Sequence, residues 1–400
     1  MITKDKLISH LTIFGLIISG AAIPASTAVQ NIGAALLILL FIISSNNWLQ
    51  IKAICLHPFA LAGLFLGLLL ALGTFWTSAN SNVAWGFFLK MRAYYLIPIF
   101  LLFSNQGKNR NYILSGFFSM AFLSVILSCV SAWLDYPMFM AVTGDWYIFR
   151  THTYHNFFAA LTGAGILSTL LSKKLTTIQK LLAIAIFTLI SYDVLFLVAG
   201  RTGQIVYLLM IFMILLLWNW RLGLILGIIL IAALAFILPK YSSAYNLGVK
   251  NAESNLNAYS HGDSNTSIGL RLEWQKNSIL LIREKPIIGH GTGSFKGEYE
   301  RILGSGDQLM ASQNPHNDYL WLGVELGVFG TLSLISLLLT AAWQGRHLQP
   351  AWKWTLYSLL VGMGVSTFAN SFFTDNITGL AFVVLTCALL SGPTSKGKAL

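Results

Sequence analysis

Long apolar runs separated by short polar connections fill most of the 400-residue chain, and one longer polar stretch occupies residues 239–317. Each run approaches the length of about 20 residues that a helix needs to cross a bilayer. Since a membrane leaves helices and closed barrels as the only spanning structures, the pattern predicts an all-α polytopic membrane protein. We place about twelve transmembrane helices over residues 7–23, 27–44, 57–75, 84–103, 112–133, 155–172, 181–199, 203–218, 222–238, 318–342, 354–373 and 376–392.

The run lengths divide the chain into three parts. Residues 1–238 hold the first nine predicted membrane helices, residues 239–317 form a helical segment outside the membrane, and residues 318–400 hold the last three helices and a tail. Within the middle part, Thr266 or Ser267 is a suitable N-cap for an amphipathic helix that begins at Ile268 and stops before Pro286.

Composition supports the membrane assignment. Hydrophobic residues make up 56% of the chain, charged residues only 10%, and the mean hydropathy is +0.70. The net charge of +11 does not indicate a nucleic-acid partner, because 13 of the 25 basic residues lie in one set of alternating connections with Asp5 as their single acid. This is the positive-inside pattern, and it predicts that both termini are cytoplasmic and the 239–317 segment faces outward.

The N-terminal region and the cysteines add two expectations. Lys4 and Lys6 precede an apolar run that resembles a signal peptide, but a second run follows at once, so we expect an uncleaved helical hairpin. The three cysteines lie in or beside predicted helices, so no disulfide framework is expected in the outward loops.

His316 lies where the polar segment ends and a membrane helix begins. Asn314 is a good N-cap and Pro315 suits the first helical position, which would place His316 in the first turn. The positive end of the helix dipole disfavours a protonated ring there, and a neutral imidazole can accept a proton from a hydroxyl group. A capping or interfacial histidine is the alternative; Asp318 or Glu325 could orient the ring.

Lys90 and Arg92 lie inside the predicted helix 84–103, Lys90 about 10 Å from its outer end at about 1.5 Å per residue. Cations at such depth face a polar cavity, a buried partner or an anionic ligand. Glu325 or Asp193 could be the partner, and an anion site is the other interpretation. Positions two apart point to different sides of a helix, so the two cations need not serve one site.

Two arginines lie in outward-facing segments. Arg201 is flanked by Gly200 and Gly203 in a short turn, and Arg271 lies in the amphipathic helix. The guanidinium group suits phosphate oxygens, although an interfacial anchor is an equal alternative for Arg201.

Metal and nucleotide motifs are missing from the sequence. His152 and His155 in the aromatic-rich loop 134–154 have no third ligand nearby, and no D-x-D, G-x-S-x-G or H-E-x-x-H pattern occurs. The glycine spacing from Pro286 to Phe295 matches no nucleotide-binding fingerprint and predicts a turn that packs under the next helix. We therefore expect no metal and no cofactor.

An ordered set of motifs carries a family resemblance. Arg201 comes first, then Arg271-Leu-Glu-Trp274, then the P-[IL]-[IL]-G-x-G-x-G-x-F segment from Pro286, then H-N-x-x-L and E-x-G-x-x-G from His316 to Gly330. The set resembles the O-antigen ligase and O-antigen polymerase superfamily of bacterial inner-membrane glycosyltransferases. The resemblance covers about residues 180–335 by motif and the whole chain by topology.

This resemblance implies a GT-C-like fold and an enzyme of lipopolysaccharide biosynthesis. The donor would be a polysaccharide on undecaprenyl diphosphate, and the acceptor a sugar hydroxyl of lipid A–core at the periplasmic face. Transfer would be inverting and metal-independent. His316 matches the family's essential histidine, and Arg201 and Arg271 match its essential arginines. Lys90 and Arg92 lie in a helix where the family also carries basic residues, so we expect them to contact the donor diphosphate.

Three other functions stay open at this stage. An O-antigen polymerase differs only in using another lipid-linked glycan as acceptor, and a protein O-oligosaccharyltransferase uses a protein. A twelve-helix transporter is the candidate from another class, although the chain has no internal repeat of the kind many transporters show. The sequence does not decide ligase against polymerase, the acceptor hydroxyl, the glycan or the oligomeric state.

Overall fold

The computed structural model describes residues 4–303 and 314–394. Over these residues the fold is helical, and its β-structure consists of isolated bridges such as that between Val142 and Asp145. The expected fold class, an all-α polytopic membrane protein, is confirmed.

Eighteen α-helices occur in the described part of the chain, together with a π-helical turn at Asp193–Leu197 after α10. The helices are α1 Lys4–Ala25, α2 Thr27–Ile43, α3 Ser45–Cys55, α4 Pro58–Gly73, α5 Ser81–Lys90, α6 Arg92–Tyr95, α7 Ile97–Asn105, α8 Asn109–Trp133, α9 His152–Ser172, α10 Thr177–Tyr192, α11 Arg201–Trp218, α12 Trp220–Tyr241, α13 Ser243–Ser260, α14 Ser267–Glu284, α15 Phe295–Leu303, α16 Asp318–Gly345, α17 Pro350–Ser366 and α18 Asn376–Leu390.

Each of the twelve predicted segments contains a helix, but fewer helices qualify as complete membrane spans. Six described helices are long and apolar enough to cross a membrane, and a bent pair, α2 with α3, brings the number to seven. Two further apolar helices, α4 and α18, are shorter. The count of twelve crossings is therefore not confirmed.

The predicted continuous helix 84–103 is wrong. The segment is divided into α5, α6 and α7, with breaks at Met91 and Leu96. Pro98 lies in the first turn of α7 and has no N–H with which to continue the helical ladder from Tyr94, which accounts for the second break. Lys90 ends α5 and Arg92 begins α6, so these two cations lie at helix ends rather than inside one helix.

Small residues let the membrane helices approach closely. A Cβ added to Gly20 would lie 2.0 Å from the carbonyl oxygen of Ile113, and one added to Gly116 would lie 2.6 Å from that of Ile17. Helices α1 and α8 therefore pack backbone against backbone at these positions, as membrane helices do when dispersion rather than water exclusion holds them together. α9, α11 and α17 form a second closely packed group.

The middle part of the chain contributes α13, α14 and α15. α14 is capped by the Thr266 side chain, which accepts from the N–H of Gly269, and it ends at Glu284, so the predicted helix and its Thr266 cap are confirmed. It packs on α13 and on α16. The boundaries of the three predicted parts stay a prediction, and residues 304–313 of the middle part lie outside the described residues.

The glycine segment after α14 packs against α16, as predicted. The N–H groups of His290 and Gly291 donate to the carbonyls of Val324 and Glu325, at 2.9 and 2.7 Å, and Val328 donates to Pro286 at 2.9 Å. These bonds are possible because α16 is broken at Gly327, whose φ of 63° and ψ of −152° are open to glycine alone among ordinary residues. The break fixes the position of the preceding turn of α16.

Candidate functional site

His316 lies in a tight turn immediately before α16. The Asn314 side chain accepts from the His316 N–H at 2.9 Å, while Asn317 caps the helix by accepting from Leu320 at 3.2 Å. The expectation that Asn314 caps the helix and Pro315 is its first residue is therefore wrong. Two side chains able to cap stand three residues apart, and the later one is used; His316, at φ 50°, occupies the left-handed region between them.

The His316 ring stacks on Trp274 of α14, with ring centroids 5.0 Å apart and planes inclined by 23°. Burial and, after it, the positive charge of Arg271 together lower the pKa of His316 to about 4. The ring is therefore neutral at physiological pH. This outcome was expected, but its causes are burial and a neighbouring cation rather than a position in the first helical turn.

Arg201 and Arg271 line one cavity of about 590 Å³. Burial lowers the pKa of Arg271, and the charge of Arg201 adds to that effect, so the two guanidinium groups are close enough to repel. Repulsion between two fixed cations is relieved when an anion binds between them. Because the charge of Arg271 also acts on His316, the three side chains form one electrostatic group at this end of the molecule.

The positive end of α11 opens into the same cavity. Arg201 is the first residue of this 18-residue helix, and Gly200, Arg201 and Thr202 all line the wall. Helix N-termini attract anions through their free N–H groups and dipole. The guanidinium of Arg201 is held by a hydrogen bond to the carbonyl of Gly248, at 3.2 Å.

The glycines beside Arg201 serve packing rather than ligand approach. A Cβ on Gly203 would lie 2.3 Å from the Cβ of Asn156 in α9, and one on Gly200 would lie 2.7 Å from the Asn156 amide nitrogen. The Asn156 amide donates to the carbonyls of Val198 and Gly200, at 3.2 and 3.3 Å. These contacts fix the turn that presents Arg201.

Lys90 and Arg92 do not line the cavity of the two arginines. They share a cavity of about 230 Å³ with Asp375, and Lys90 also lines a third one, of about 240 Å³, with Asn314 and Glu325. Lys90 lies 4.9 Å above the Trp321 ring, and Arg92 donates to the Asn31 side chain at 2.8 Å.

The two carboxylates considered as partners for His316 are engaged elsewhere. Asp318 accepts from the hydroxyls of Thr367 and Thr374 and from the Phe373 N–H. Glu325 accepts from the Trp321 indole at 2.9 Å and the Gly293 N–H at 3.0 Å. Asp318 thereby holds the start of α16 against residues 367–374, and Glu325 holds the glycine segment against α16. Asp193, the other acid considered beside Lys90, pairs with His155 at 2.9 Å.

One group of possible metal ligands occurs in the described ranges, at the start of α15. Ligand atoms of Glu284, His290 and Glu298 lie within 4.8 Å of one another. Arg301 bonds both carboxylates, so a guanidinium already supplies a cation there. Burial raises the pKa of Glu298, but hydrogen bonds from Ser78 and Arg301 to its carboxylate outweigh this effect, and the pKa is lowered.

Sequence reasoning missed two features of the site. The role of Trp274 as the platform under His316 was signalled only by its place one helical turn after Arg271. The second is a pair formed by Asp145 and His152, which lines the cavity of the two arginines. No local sequence motif predicts this pair, because Asp145 lies in a loop and His152 at the start of a helix.

The fold and the site define a multi-pass helical membrane protein with a cationic cavity beside a neutral histidine. Residues 184–335 match the family model described as O-antigen ligase, so this segment is similar to that family. Its members are glycosyltransferase-like enzymes. The matched segment includes Arg201, Arg271 and His316 and ends after the break in α16.

A relative of Haemophilus influenzae described as an uncharacterized protein is 31% identical over 93 residues. These residues are 22% of this chain and 23% of that relative, so the similarity spans about a quarter of the relative's length.

Proposed function

We propose that this protein is an O-antigen ligase. It transfers a polysaccharide from undecaprenyl diphosphate to a sugar hydroxyl of lipid A–core in lipopolysaccharide biosynthesis. The observation that carries the proposal is that Arg201 and Arg271 line one cavity while the charge of Arg271 acts on His316, because each of the three was predicted separately from the motif order.

The donor diphosphate binds between Arg201 and Arg271. Both guanidinium groups are fixed cations in a partly buried cavity, where charge interactions are stronger than in water. The N-terminus of α11 adds a third positive element. When the bond between the sugar and the diphosphate breaks, negative charge accumulates on the departing oxygen, and these groups stabilise it.

His316 accepts the proton of the acceptor hydroxyl. The ring is neutral, as a general base must be, but a pKa of about 4 makes it a weak one. The bound diphosphate offsets the charge of Arg271 and thereby raises the basicity of His316 when the donor is in place. The base is thus coupled to donor binding, which disfavours activation of water in the empty site.

The reaction is a single displacement with inversion. The acceptor oxygen forms a bond to the anomeric carbon as the bond to the diphosphate oxygen breaks, and His316 takes the hydroxyl proton. The donor brings its own activated bond, so the scheme uses neither a cofactor nor a metal ion. A well-placed general base contributes about 10²–10⁴-fold to the rate.

Lys90 and Arg92 are assigned as secondary contacts of the donor phosphates. Lys90 lies near the His316 turn, since Asn314 lines the same cavity, and this cavity is separate from that of the two arginines. Arg92 lines the other Lys90 cavity, together with Asp375. Loss of Lys90 is therefore expected to weaken donor binding less than loss of Arg201 or Arg271.

The protein is placed in the bacterial inner membrane as a multi-pass protein with both termini in the cytoplasm. The cavity then opens at the periplasmic face, where the donor and lipid A–core meet. A GT-C-like glycosyltransferase fold is part of the same proposal. Its support is the charge distribution of the connections together with the family match.

Transfer by the purified protein tests the proposal. Wild type is supplied with lipid-linked glycan and either lipid A–core or a second lipid-linked glycan, and the product is analysed by mass. Joining to lipid A–core supports the ligase; elongation of the lipid-linked glycan would instead identify a polymerase.

His316→Ala is expected to lower the transfer rate by about 10²–10⁴-fold, because the general base is lost. His261→Ala is the matched control, since His261 is an exposed histidine at the end of α13. A purified His316→Ala protein that is folded and transfers at the wild-type rate would remove the base assignment.

A further inference from the structure

A second imidazole lines the cavity of the two arginines. His152 is the first residue of α9, and its Nδ1 lies 3.2 Å from a carboxylate oxygen of Asp145. The other oxygen of Asp145 accepts from the N–H of Ala199 at 2.9 Å. Asp145 therefore connects His152 to the turn that carries Arg201, and all three side chains line the cavity.

The position of His152 is fixed by two elements. A Cβ on Gly200 would lie 3.0 Å from the His152 carbonyl oxygen, so the start of α9 lies directly against the start of α11. The ring also contacts Tyr147 edge to face, with centroids 5.8 Å apart. With Nδ1 directed at Asp145, Nε2 is the ring nitrogen available to a ligand in the cavity.

The two histidines have opposite electrostatic neighbours. His316 is influenced by the cation Arg271, whereas His152 is paired with an anion. The charged and titratable groups that line the cavity or contact the His152 ring in the described structure are Asp145, Tyr147, Arg201 and Arg271. Enzymes assign the acid and the base of a reaction by such differences in environment.

We propose that His152 is the general acid of the transfer reaction and that Asp145 holds its ring for this role. The inference rests on the proposed function. As the bond between the anomeric carbon and the diphosphate oxygen breaks, its electron pair stays on that oxygen, which takes the proton from Nε2 of protonated His152. His316 gains the proton of the acceptor hydroxyl in the same step, and both rings exchange protons with water after the products leave.

A purely structural pair would behave differently. The His152 side chain is 46% exposed, and an ion pair at such a position contributes little to stability because water screens it. If the pair were only structural, replacing either residue would therefore leave the pH dependence of transfer unchanged.

The test compares the pH profiles of transfer for wild type, His152→Gln, Asp145→Asn and His261→Gln, at saturating donor and acceptor. His152→Gln can still donate a hydrogen bond but holds no transferable proton. It is expected to be slower by about 10²-fold and to lose the alkaline limb of the profile. The control His261→Gln changes an exposed histidine outside the cavity and is expected to match wild type.

Asp145→Asn keeps an oxygen for the Ala199 N–H but removes the negative charge beside the ring. The protonated form of His152 is then less favoured, so the alkaline limb is expected to move to lower pH. A structural role predicts no such shift. If the alkaline limb of the Asp145→Asn profile stays at the wild-type pH, the positioning role of Asp145 is wrong.

The outcomes separate this inference from the proposed function. If wild type transfers glycan and His152→Gln keeps both the rate and the alkaline limb, the general-acid role is wrong while the ligase proposal stands. If wild type transfers no glycan from the lipid diphosphate to either acceptor, the proposed function fails and this inference fails with it.

Discussion

At the scale of single residues, the chemistry of the site follows from what surrounds each side chain. Burial, with the ring stacked on Trp274, and the positive charge of Arg271 keep His316 neutral. An isolated histidine near an interface would titrate close to pH 6.5 and would serve as a base only above that pH. The cost of the lowered pKa is a weaker base, which a bound anion beside Arg271 would partly restore.

Arg271→Gln is expected to raise the pKa of His316 from about 4 toward its ordinary value, because one of the two causes of the lowering is removed. Protonation disables the base, so transfer by this variant is lost at a higher pH than transfer by wild type as the pH falls. NMR titration of the labelled histidine ring in detergent measures the shift directly. Arg283→Gln, an exposed position in the last turn of α14, is the control; equal His316 titration in wild type and Arg271→Gln would contradict the assignment.

At the scale of elements, the glycine segment and the break in α16 form one unit. Backbone hydrogen bonds join His290 and Gly291 to the last turn before Gly327, and the Glu325 carboxylate accepts a further bond from the Gly293 N–H. The first half of α16, from Asp318, is thereby fixed between α14 and α4. The unit positions the His316 turn without supplying a reactive group.

Gly327→Ala is expected to destabilise the protein. A Cβ there would lie 2.2 Å from the Ile287 carbonyl oxygen, and the backbone conformation alone costs a residue with a Cβ about 1–3 kcal/mol. The measurement is the melting temperature of the purified protein in detergent. Gly297→Ala is the matched control, because a Cβ at this helical position meets nothing within 4 Å and is expected to leave the melting temperature unchanged or slightly raised. Equal melting temperatures for the two variants would exclude a role for the break.

Removal of divalent metal ions tests the cluster at the start of α15. Arg301 already pairs with Glu284 and Glu298, so EDTA is expected to change neither the melting temperature nor the transfer rate. A strict requirement for an added divalent ion would contradict the metal-free mechanism.

At the scale of the whole molecule, the arrangement of charge predicts the orientation in the membrane. Basic residues collect at the ends of α1, α8, α9, α10 and α17, whereas the cavity of the two arginines lies at the starts of α9 and α11, the other end of α9. The positive-inside rule then places the cavity outside the cytoplasm. This orientation is required because the donor glycan and lipid A–core are both presented at the periplasmic face in the proposed reaction.

A reporter enzyme that is active only outside the cytoplasm checks this orientation. Fused to either terminus it is expected to be inactive, and inserted at Gly262, in the exposed turn between α13 and α14, it is expected to be active. Retained glycan transfer by the insertion protein serves as the folding control. Activity at either terminus would contradict the proposed topology.

The sequence by itself determined the fold class and predicted the main site residues. Apolar run length selects membrane helices whatever their neighbours, and the order of Arg201, Arg271 and His316 with their flanking motifs is a property of the chain. Thr266 capping of α14 and the packing of the glycine segment were predicted for the same reason: both depend on local backbone chemistry.

Only the tertiary structure decided which of these residues share a cavity and in what state. It separated Lys90 and Arg92 from the two arginines of the cavity. The helix is broken at Met91, which places both cations at helix ends, and the apolar pattern does not reveal this break. It moved the helix start to Asp318, because two competing caps are distinguished only by packing. It also brought His152 and Asp145 to the cavity, since burial and charge act between residues far apart in the chain.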